Sequence, residues 1–314
     1  MSFVILESGE NMALTTRKNV IGGLGASVAS FAMGAKAFAL DASRDPVVLQ
    51  KEIDEITPQM FRDFASDGNA RGRKALLRFD AAFHKVFNEA ATIKAEEAPA
   101  VWLVYNVGVV VKTGSMLFTI DLHHRLAPQI ADRLDFALIT HNHGDHYTKE
   151  FYDAMNRKLE KTVVNNFIDN YGAHRGSGPF GGGFTRGGKR FKFGDIEIIT
   201  SSLDHNKYLV DYTMAFEVHI GNFTLYHTGD TSNIEKLNPL RRPDLWIVHP
   251  RCGLDVAQAV KKFQPRHTVI AHLNEMHHLK GKGRWTWDHG FNAMKKVKDL
   301  GFHATVPFWG DRIC

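Results

Sequence analysis

Thr140-His141-Asn142-His143-Gly144-Asp145-His146 is the stretch whose reading decides the fold. Three imidazoles and a carboxylate fall within six residues, directly after the apolar run Leu134-Asp135-Phe136-Ala137-Leu138-Ile139. That density of donor side chains reads as a metal site. The preceding run reads as a short buried strand, so the donors emerge from a loop at its C-terminal end, where open α/β sheets place their chemistry. His141 and His143, two residues apart, suit one ion, while Asp145 and His146 turn towards a second. Mixed nitrogen and oxygen donors favour borderline divalent metals, zinc most often, with manganese or iron as alternatives.

The same stretch resembles the H-x-H-x-D-H signature of the metallo-β-lactamase superfamily, matched by His141, His143, Asp145 and His146. Counterparts of the superfamily's later ligands follow in order: His205 after Ser202-Leu203-Asp204, Asp230 in His227-Thr228-Gly229-Asp230-Thr231, and His272 after Val269-Ile270-Ala271. Each follows a predicted strand, Phe193–Thr200 before His205, Phe223–Tyr226 before Asp230 and His267–Ile270 before His272. Upstream, Val101–Tyr105, Gly108–Val111 and Met116–Asp121 read as the opening strands. The resemblance implies an α/β, four-layer αββα sandwich over residues 99–314. It assigns His141, His143 and His205 to one divalent metal, Asp145, His146 and His272 to a second, and Asp230 as the bridge. Paired cations lower the pKa of a shared water to about 7, which makes a bridging hydroxide the expected nucleophile. Asp121 is expected behind the ligands, since ligating histidines need a carboxylate or carbonyl on the other ring nitrogen.

Resemblance also narrows the activity. An aspartate at position 230 argues against antibiotic hydrolysis, a histidine at 143 argues against diiron electron transfer, and a tail ending at Cys314 is short for the helical domain of glyoxalase II enzymes. The phrases Phe193–Ile198, Tyr226–Thr231 and Arg242–Leu245 are similar to the branch containing ascorbate-6-phosphate lactonase and N-acyl phosphatidylethanolamine phospholipase D. The expected function is thus hydrolysis of a small-molecule ester, a phosphodiester or a lactone. A diiron redox or oxygen-handling protein of the same fold and a β-lactamase-like hydrolase are the alternatives. Candidate catalytic residues are Asp145 and His249, the latter to protonate the leaving group, and Arg251 is a candidate for an anionic group. No basic aromatic platform for nucleic acid is present.

Length and composition suit one catalytic domain. The chain has 314 residues, 44% of them hydrophobic, and a formal charge of +5 that tolerates anionic substrates without demanding them. Of its 17 histidines, His123, His124, His227, His249, His277 and His278 lie beside the site motifs, as pocket or structural residues. Residues 1–39 read as an export signal: Thr16-Arg17-Lys18, a mildly apolar stretch from Val20 to Gly34, and the cleavage pattern Ala37-Phe38-Ala39. They resemble a twin-arginine signal, which implies a periplasmic enzyme with no stable membrane insertion after cleavage.

Residues 40–98 read as a helical extension. Asp45-Pro46 and Thr57-Pro58 each place a capping side chain before proline at the first helical position. Leu76, Leu77, Phe79, Phe83, Val86 and Phe87 form an apolar face that packs on the catalytic domain or joins a homo-oligomer. Residues 176–188 form a glycine-rich irregular segment, read as a flap carrying Phe180, Phe184 and Arg186 or as a connector. Cys252 and Cys314 are too few for a scaffold and could pair in an oxidising compartment.

Overall fold

A computed structural model describes residues 45–97, 99–156, 162–165, 188–205 and 209–314. Residues 1–39, expected to be an export signal, and nearly all of the glycine-rich segment lie outside the described residues.

Two sheets stack face to face. One has five strands in the order β1 (Ala100–Tyr105), β2 (Gly108–Lys112), β3 (Leu117–Ile120), β4 (Phe136–Ile139) and β5 (Thr162–Asn165). The other has seven. Its strands are β6 (Arg190–Phe193), β7 (Ile196–Leu203), β8 (Thr213–Ile220), β9 (Phe223–His227), β10 (Leu245–Val248), β11 (His267–Ile270) and β14 (Ala304–Thr305), and they run in the spatial order β14-β11-β10-β9-β8-β7-β6.

Period-2 alternation makes the layers. Val101 and Leu103 of β1, Phe136 and Leu138 of β4, Met214, Phe216 and Val218 of β8, and Leu245 and Ile247 of β10 meet in one core between the sheets. Phe118, Phe136 and Phe193 stack across that gap at centroid distances of 4.4 and 4.3 Å. The alternate residues Trp102, Val104, Ala137 and Ile139 face a helical layer on the outside of the first sheet. Ala215, Trp246, Val248 and Ile270 face α6 (Val256–Phe263) and α7 (Trp287–Asp299) outside the second. Helix, sheet, sheet, helix is the expected αββα order.

The strand expected over Phe193–Thr200 is instead a hairpin corner. Gly194 takes φ +58° and ends β6, and β7 begins at Ile196 to pair antiparallel with it. Phe191-Lys192-Phe193 and Ile196-Glu197-Ile198 alternate on either side of Gly194-Asp195, a two-residue hairpin signal that the single-strand reading passed over.

Three helices precede the first strand: α1 (Pro46–Asp54), α2 (Pro58–Asp67) and α3 (Lys74–Thr92). Asp45 accepts the Val47 N–H at 2.8 Å and Thr57 the Met60 N–H at 3.2 Å, so both expected caps form. Leu76, Phe79, Phe83, Val86 and Phe87 are buried in the outer core of the first sheet, which covers the aromatic stripe within the chain. Leu77 is the exception, 42% exposed, because it follows Leu76 and points 100° round the helix. The chain end closes the free edge of β1: Ile313 N–H donates to Val101 at 2.8 Å and Gly310 N–H to Leu103 at 2.7 Å. The helices α4 (Ala127–Ile130) and α5 (Lys149–Asn156) and the short pair β12 (Leu279–Lys280) and β13 (Gly283–Arg284) are the remaining α-helices and strands among the described residues. Among the described residues no helix is long and apolar enough to cross a membrane.

Candidate metal centre

Strands β3 and β4 are parallel, as are β9, β10 and β11, and β7 runs with β9 across the antiparallel β8. Their C-terminal ends therefore share one rim of the sandwich. Asp121 follows β3, His141 to His146 follow β4, His205 follows β7, Asp230 follows β9 and His272 follows β11. Residues separated by up to 131 positions thus meet in two clusters.

His141, His143 and His205 place a donor atom each within 4.8 Å of one another, and so do Asp145, His146, Asp230 and His272. Asp230 lies between the clusters. One carboxylate oxygen is 3.3 Å from His146 Nε2, and the other is 3.2 Å from His272 Nε2 and 3.5 Å from His205 Nε2. In the second cluster Asp145 is 3.0 Å from His272 Nε2 and 3.6 Å from His146 Nε2, and the two Nε2 atoms are 3.3 Å apart. Tetrahedral donors about 2.05 Å from a zinc ion are separated by about 3.3 Å, so these spacings fit one. His141 Nε2, fully buried, has no hydrogen-bond partner. A buried nitrogen left that way costs about 1–3 kcal/mol unless something else takes its lone pair.

Orientation of the rings comes from Asp121, 1% exposed and held at φ +49°. It accepts His146 Nδ1–H at 2.8 Å, and the hydroxyl and N–H of Thr140 at 2.7 Å each. The Thr140 hydroxyl in turn lies 2.9 Å from His141 Nδ1. One carboxylate thereby leaves the Nε2 atoms of a residue in each cluster facing the site.

Charges in the cluster are strongly coupled. Burial opposes charging His146 and His272, yet Asp230 and Asp145 outweigh it; His146 is raised well above the usual range and His272 to about 9. Asp145 and Asp230 are held well below the carboxylate range by His146 and His272, against the opposing effect of burial. His141 and His143 have no such excess of carboxylates. Burial, then neighbouring imidazoles, drives both down, His143 to about 4. Neutral nitrogens are what a metal requires.

The remaining histidines divide. His124 is a structural residue, stacked between Phe79 and Phe83 at 4.1 Å each, and His227 is tied to the Val107 carbonyl at 3.0 Å. His249 lies against His272 at 3.8 Å, and its Nδ1 accepts the Arg251 N–H at 2.9 Å. Arg251 itself stacks on Trp285 at 4.9 Å. Cys252 and Cys314 do not pair. Cys252 is instead a clasp between ligand loops, its sulfur 2.9 Å from the carbonyl of His205 and 3.0 Å from that of Asp230, which share its one thiol proton.

Sequence reasoning missed Asn106, Tyr212 and Glu275. Asn106, left-handed at φ +56° in the turn after β1, donates to Asp145 at 3.2 Å, and its carbonyl accepts the His272 N–H at 2.9 Å. Asn before an apolar residue and glycine was a turn signal, with nothing to mark it as a site residue. Tyr212 donates to Asn142 and faces the rings of His141, His143 and His205 at 5.2–5.9 Å.

No protein-family model matches the chain. A UPF0173 metal-dependent hydrolase of Pyrococcus furiosus is 29% identical over 154 residues, 45% of this chain and 67% of the relative. Among solved structures, the metallo-β-lactamase fold protein YhfI of Bacillus subtilis aligns with a TM-score of 0.50 at 14% identity, over 68% of this chain and 97% of its own. The chain has the metallo-β-lactamase fold. CmlA, a diiron β-hydroxylase from Streptomyces venezuelae, aligns equally at TM-score 0.50 and 13% identity, over 68% of this chain and 53% of its own. The metallo-β-lactamase fold by itself therefore does not choose between hydrolysis and oxidation.

Proposed function

We propose that this metallo-β-lactamase-fold protein is an exported dinuclear hydrolase that cleaves an ester, either a phosphodiester or a lactone. The observation that carries the reading is Asp230, a single carboxylate within 3.5 Å of histidine nitrogens from both clusters. His141, His143 and His205 would hold one divalent cation and Asp145, His146 and His272 a second, with Asp230 placed between the two sets. Zinc there would supply Lewis acidity and an acidified water.

The chain's own residues then position the reaction. Asp121 keeps a proton on His146 Nδ1, directing the Nε2 lone pair inwards. Asn106 fixes Asp145 from behind. His249 is kept neutral by burial and by His272 beside it. Because its Nδ1 accepts a backbone N–H, its proton sits on Nε2, the atom assigned to the leaving oxygen. Kinship with the Pyrococcus hydrolase supports hydrolysis over oxidation, and the ester class rests on the sequence resemblance. Export rests on Ala37-Phe38-Ala39 and predicts a mature chain that starts near Leu40.

The deciding experiment measures metal content and turnover together. Protein purified without chelators is loaded with zinc, manganese or iron and offered phosphodiesters, phosphomonoesters, lactones and thioesters. Two metals per chain with ester cleavage are expected. Two metals with no cleavage of any ester would refute the hydrolase reading, and iron-dependent oxygen consumption would favour the oxidative one.

A further inference from the structure

In the second cluster, His146 and Asp145 are each aimed by a side chain behind them, Asp121 at 2.8 Å and Asn106 at 3.2 Å. His272 is not. Among the described residues its Nδ1 has no hydrogen-bond partner, and its ring stacks on His249 at 3.8 Å. Its direction is therefore set by the backbone, which is left-handed at φ +59° and again at Asn274, φ +58°. A left-handed histidine is costly and persists only where the surrounding chain holds it.

The chain after His272 folds back on itself to supply that hold. Asn274 N–H donates to the Trp285 carbonyl at 2.6 Å, and Met276 N–H to Tyr105 OH at 2.5 Å. Glu275, fully buried, accepts the backbone N–H and the ring Nδ1–H of both His277 and His278. Leu273 lies on Gly290 of α7, where a Cβ would collide with its Cδ1. Arg284, 1% exposed, then ties the loop to the helical extension. It donates to the carbonyls of Glu275 at 2.9 Å and Met276 at 3.2 Å, and to those of Ile53 at 3.0 Å and Ile56 at 2.8 Å at the C-terminal end of α1. Helix ends present such unpaired carbonyls, and a cation suits them. All four of these bonds go to carbonyls, so the buried guanidinium stays satisfied only while α1 and the loop are both in place. Phe61 of α2 adds an edge contact with His277 at 4.8 Å, and Lys280 pairs with Asp54. The first cluster is fastened elsewhere: Asp204, next to His205, accepts from Asn233 at 2.9 Å and Lys236 at 2.5 Å, and the Thr140 hydroxyl lies 2.9 Å from His141 Nδ1.

We propose that Arg284 is a positioning residue for the second metal site, and that α1, which it grips, sets how tightly His272 holds its cation. The helical extension is then part of the metal centre although it supplies no ligand. When α1 lifts, Arg284 loses two of its acceptors and the loop after His272 gains freedom. A cation binding there must first reorder that loop, which weakens the second cluster and leaves the first as it was. The coupling is reciprocal, so a cation on the second cluster tightens the docking of α1 by the same factor. The inference rests on the two-cation reading of the clusters.

The test measures the zinc affinity of each cluster separately in the full chain, by competition with a chromophoric chelator. His143→Ala leaves the second cluster intact and His146→Ala the first. Arg284→Lys keeps the charge, but a point-like ammonium cannot span both sides as the planar fork does. Ile53→Ala loosens α1 from its buried face without altering the clamp itself. Added to His143→Ala, either change should lower zinc affinity about tenfold, the low end for groups behind a ligand, and added to His146→Ala it should leave affinity within about threefold. Loss of stability alone would weaken both clusters alike. Zinc should also slow hydrogen exchange in α1 of His143→Ala and not in that of His146→Ala. Equal losses in the two backgrounds, no loss in His143→Ala, or α1 exchange indifferent to zinc there overturns the inference and leaves the two-cation reading standing. Failure of His143→Ala to bind zinc overturns both.

Discussion

Asp121→Asn separates orientation of the ligands from the ligands themselves. Its carboxylate takes three hydrogen bonds, from Thr140 N–H at 2.7 Å, Thr140 Oγ–H at 2.7 Å and His146 Nδ1–H at 2.8 Å. Asparagine keeps the volume and tolerates the left-handed backbone at φ +49°. Its amide nitrogen, however, offers a donor where an acceptor stood. The Thr140 hydroxyl can rotate to accept. His146 cannot, and it escapes a donor facing a donor only by moving its proton to Nε2, which removes the lone pair from the metal side. A lost partner of this kind lowers metal affinity about 10- to 100-fold, and the unmatched donor costs about 1–3 kcal/mol. Asp121→Ala is the harsher control. It strands all three buried donors, about 3–9 kcal/mol in total, with roughly 1 kcal/mol more for alanine in a left-handed conformation. Zinc affinity is read by competition with a chromophoric chelator, and stability by urea melts followed through tryptophan fluorescence. Zinc affinity of Asp121→Asn within threefold of wild type would refute the reasoning.

Asp230→Ala should take metal content from two per chain to one or fewer, because both clusters lose a shared donor; elemental analysis showing two retained ions would remove Asp230 from the bridge. Acid should loosen the contact with the helical extension. Burial and His277 hold His123 down at about 3, and burial with His123 and Arg125 holds His124 well below its usual value. The unfolded rings take protons near pH 6.5 that the folded rings refuse, so stability is complete above about 6.5 and declines as pH falls towards 3. The slope is up to about 1.4 kcal/mol per pH unit for each ring. Urea midpoints that do not drop between pH 7.5 and 5, or that drop equally in His123→Gln, contradict this. Arg284→Met leaves four carbonyls without their donor and should cost about 2–4 kcal/mol; hydrogen exchange should quicken in residues 273–278 and in α1, and unchanged exchange there would rule out the clamp.

Much of the fold and the candidate site was legible in the chain itself. Ligand-type residues after short apolar runs located the strand ends, and alternation such as Val101, Leu103 against Trp102, Val104 set two faces per strand. Those signals are local: a period of two or a capping Asp45 needs only its own neighbours. The Gly194–Asp195 turn was also legible, since the alternation changes phase across it from Phe191 and Phe193 to Ile196 and Ile198, and the single strand expected over Phe193–Thr200 passed over that signal. The tertiary structure alone decided what stands behind each donor. Asn106 reaches Asp145 across 39 positions, Arg284 reaches Ile53 across 231, and Glu275 gains its place beside Asp145 only when the sandwich closes. An asparagine in a turn, or a glutamate between a leucine-asparagine pair and two histidines, carries no local mark of such a role. Burial turns these polar side chains into obligatory partners, and which partners they find depends on strand order and parallel direction, quantities that no window of sequence contains.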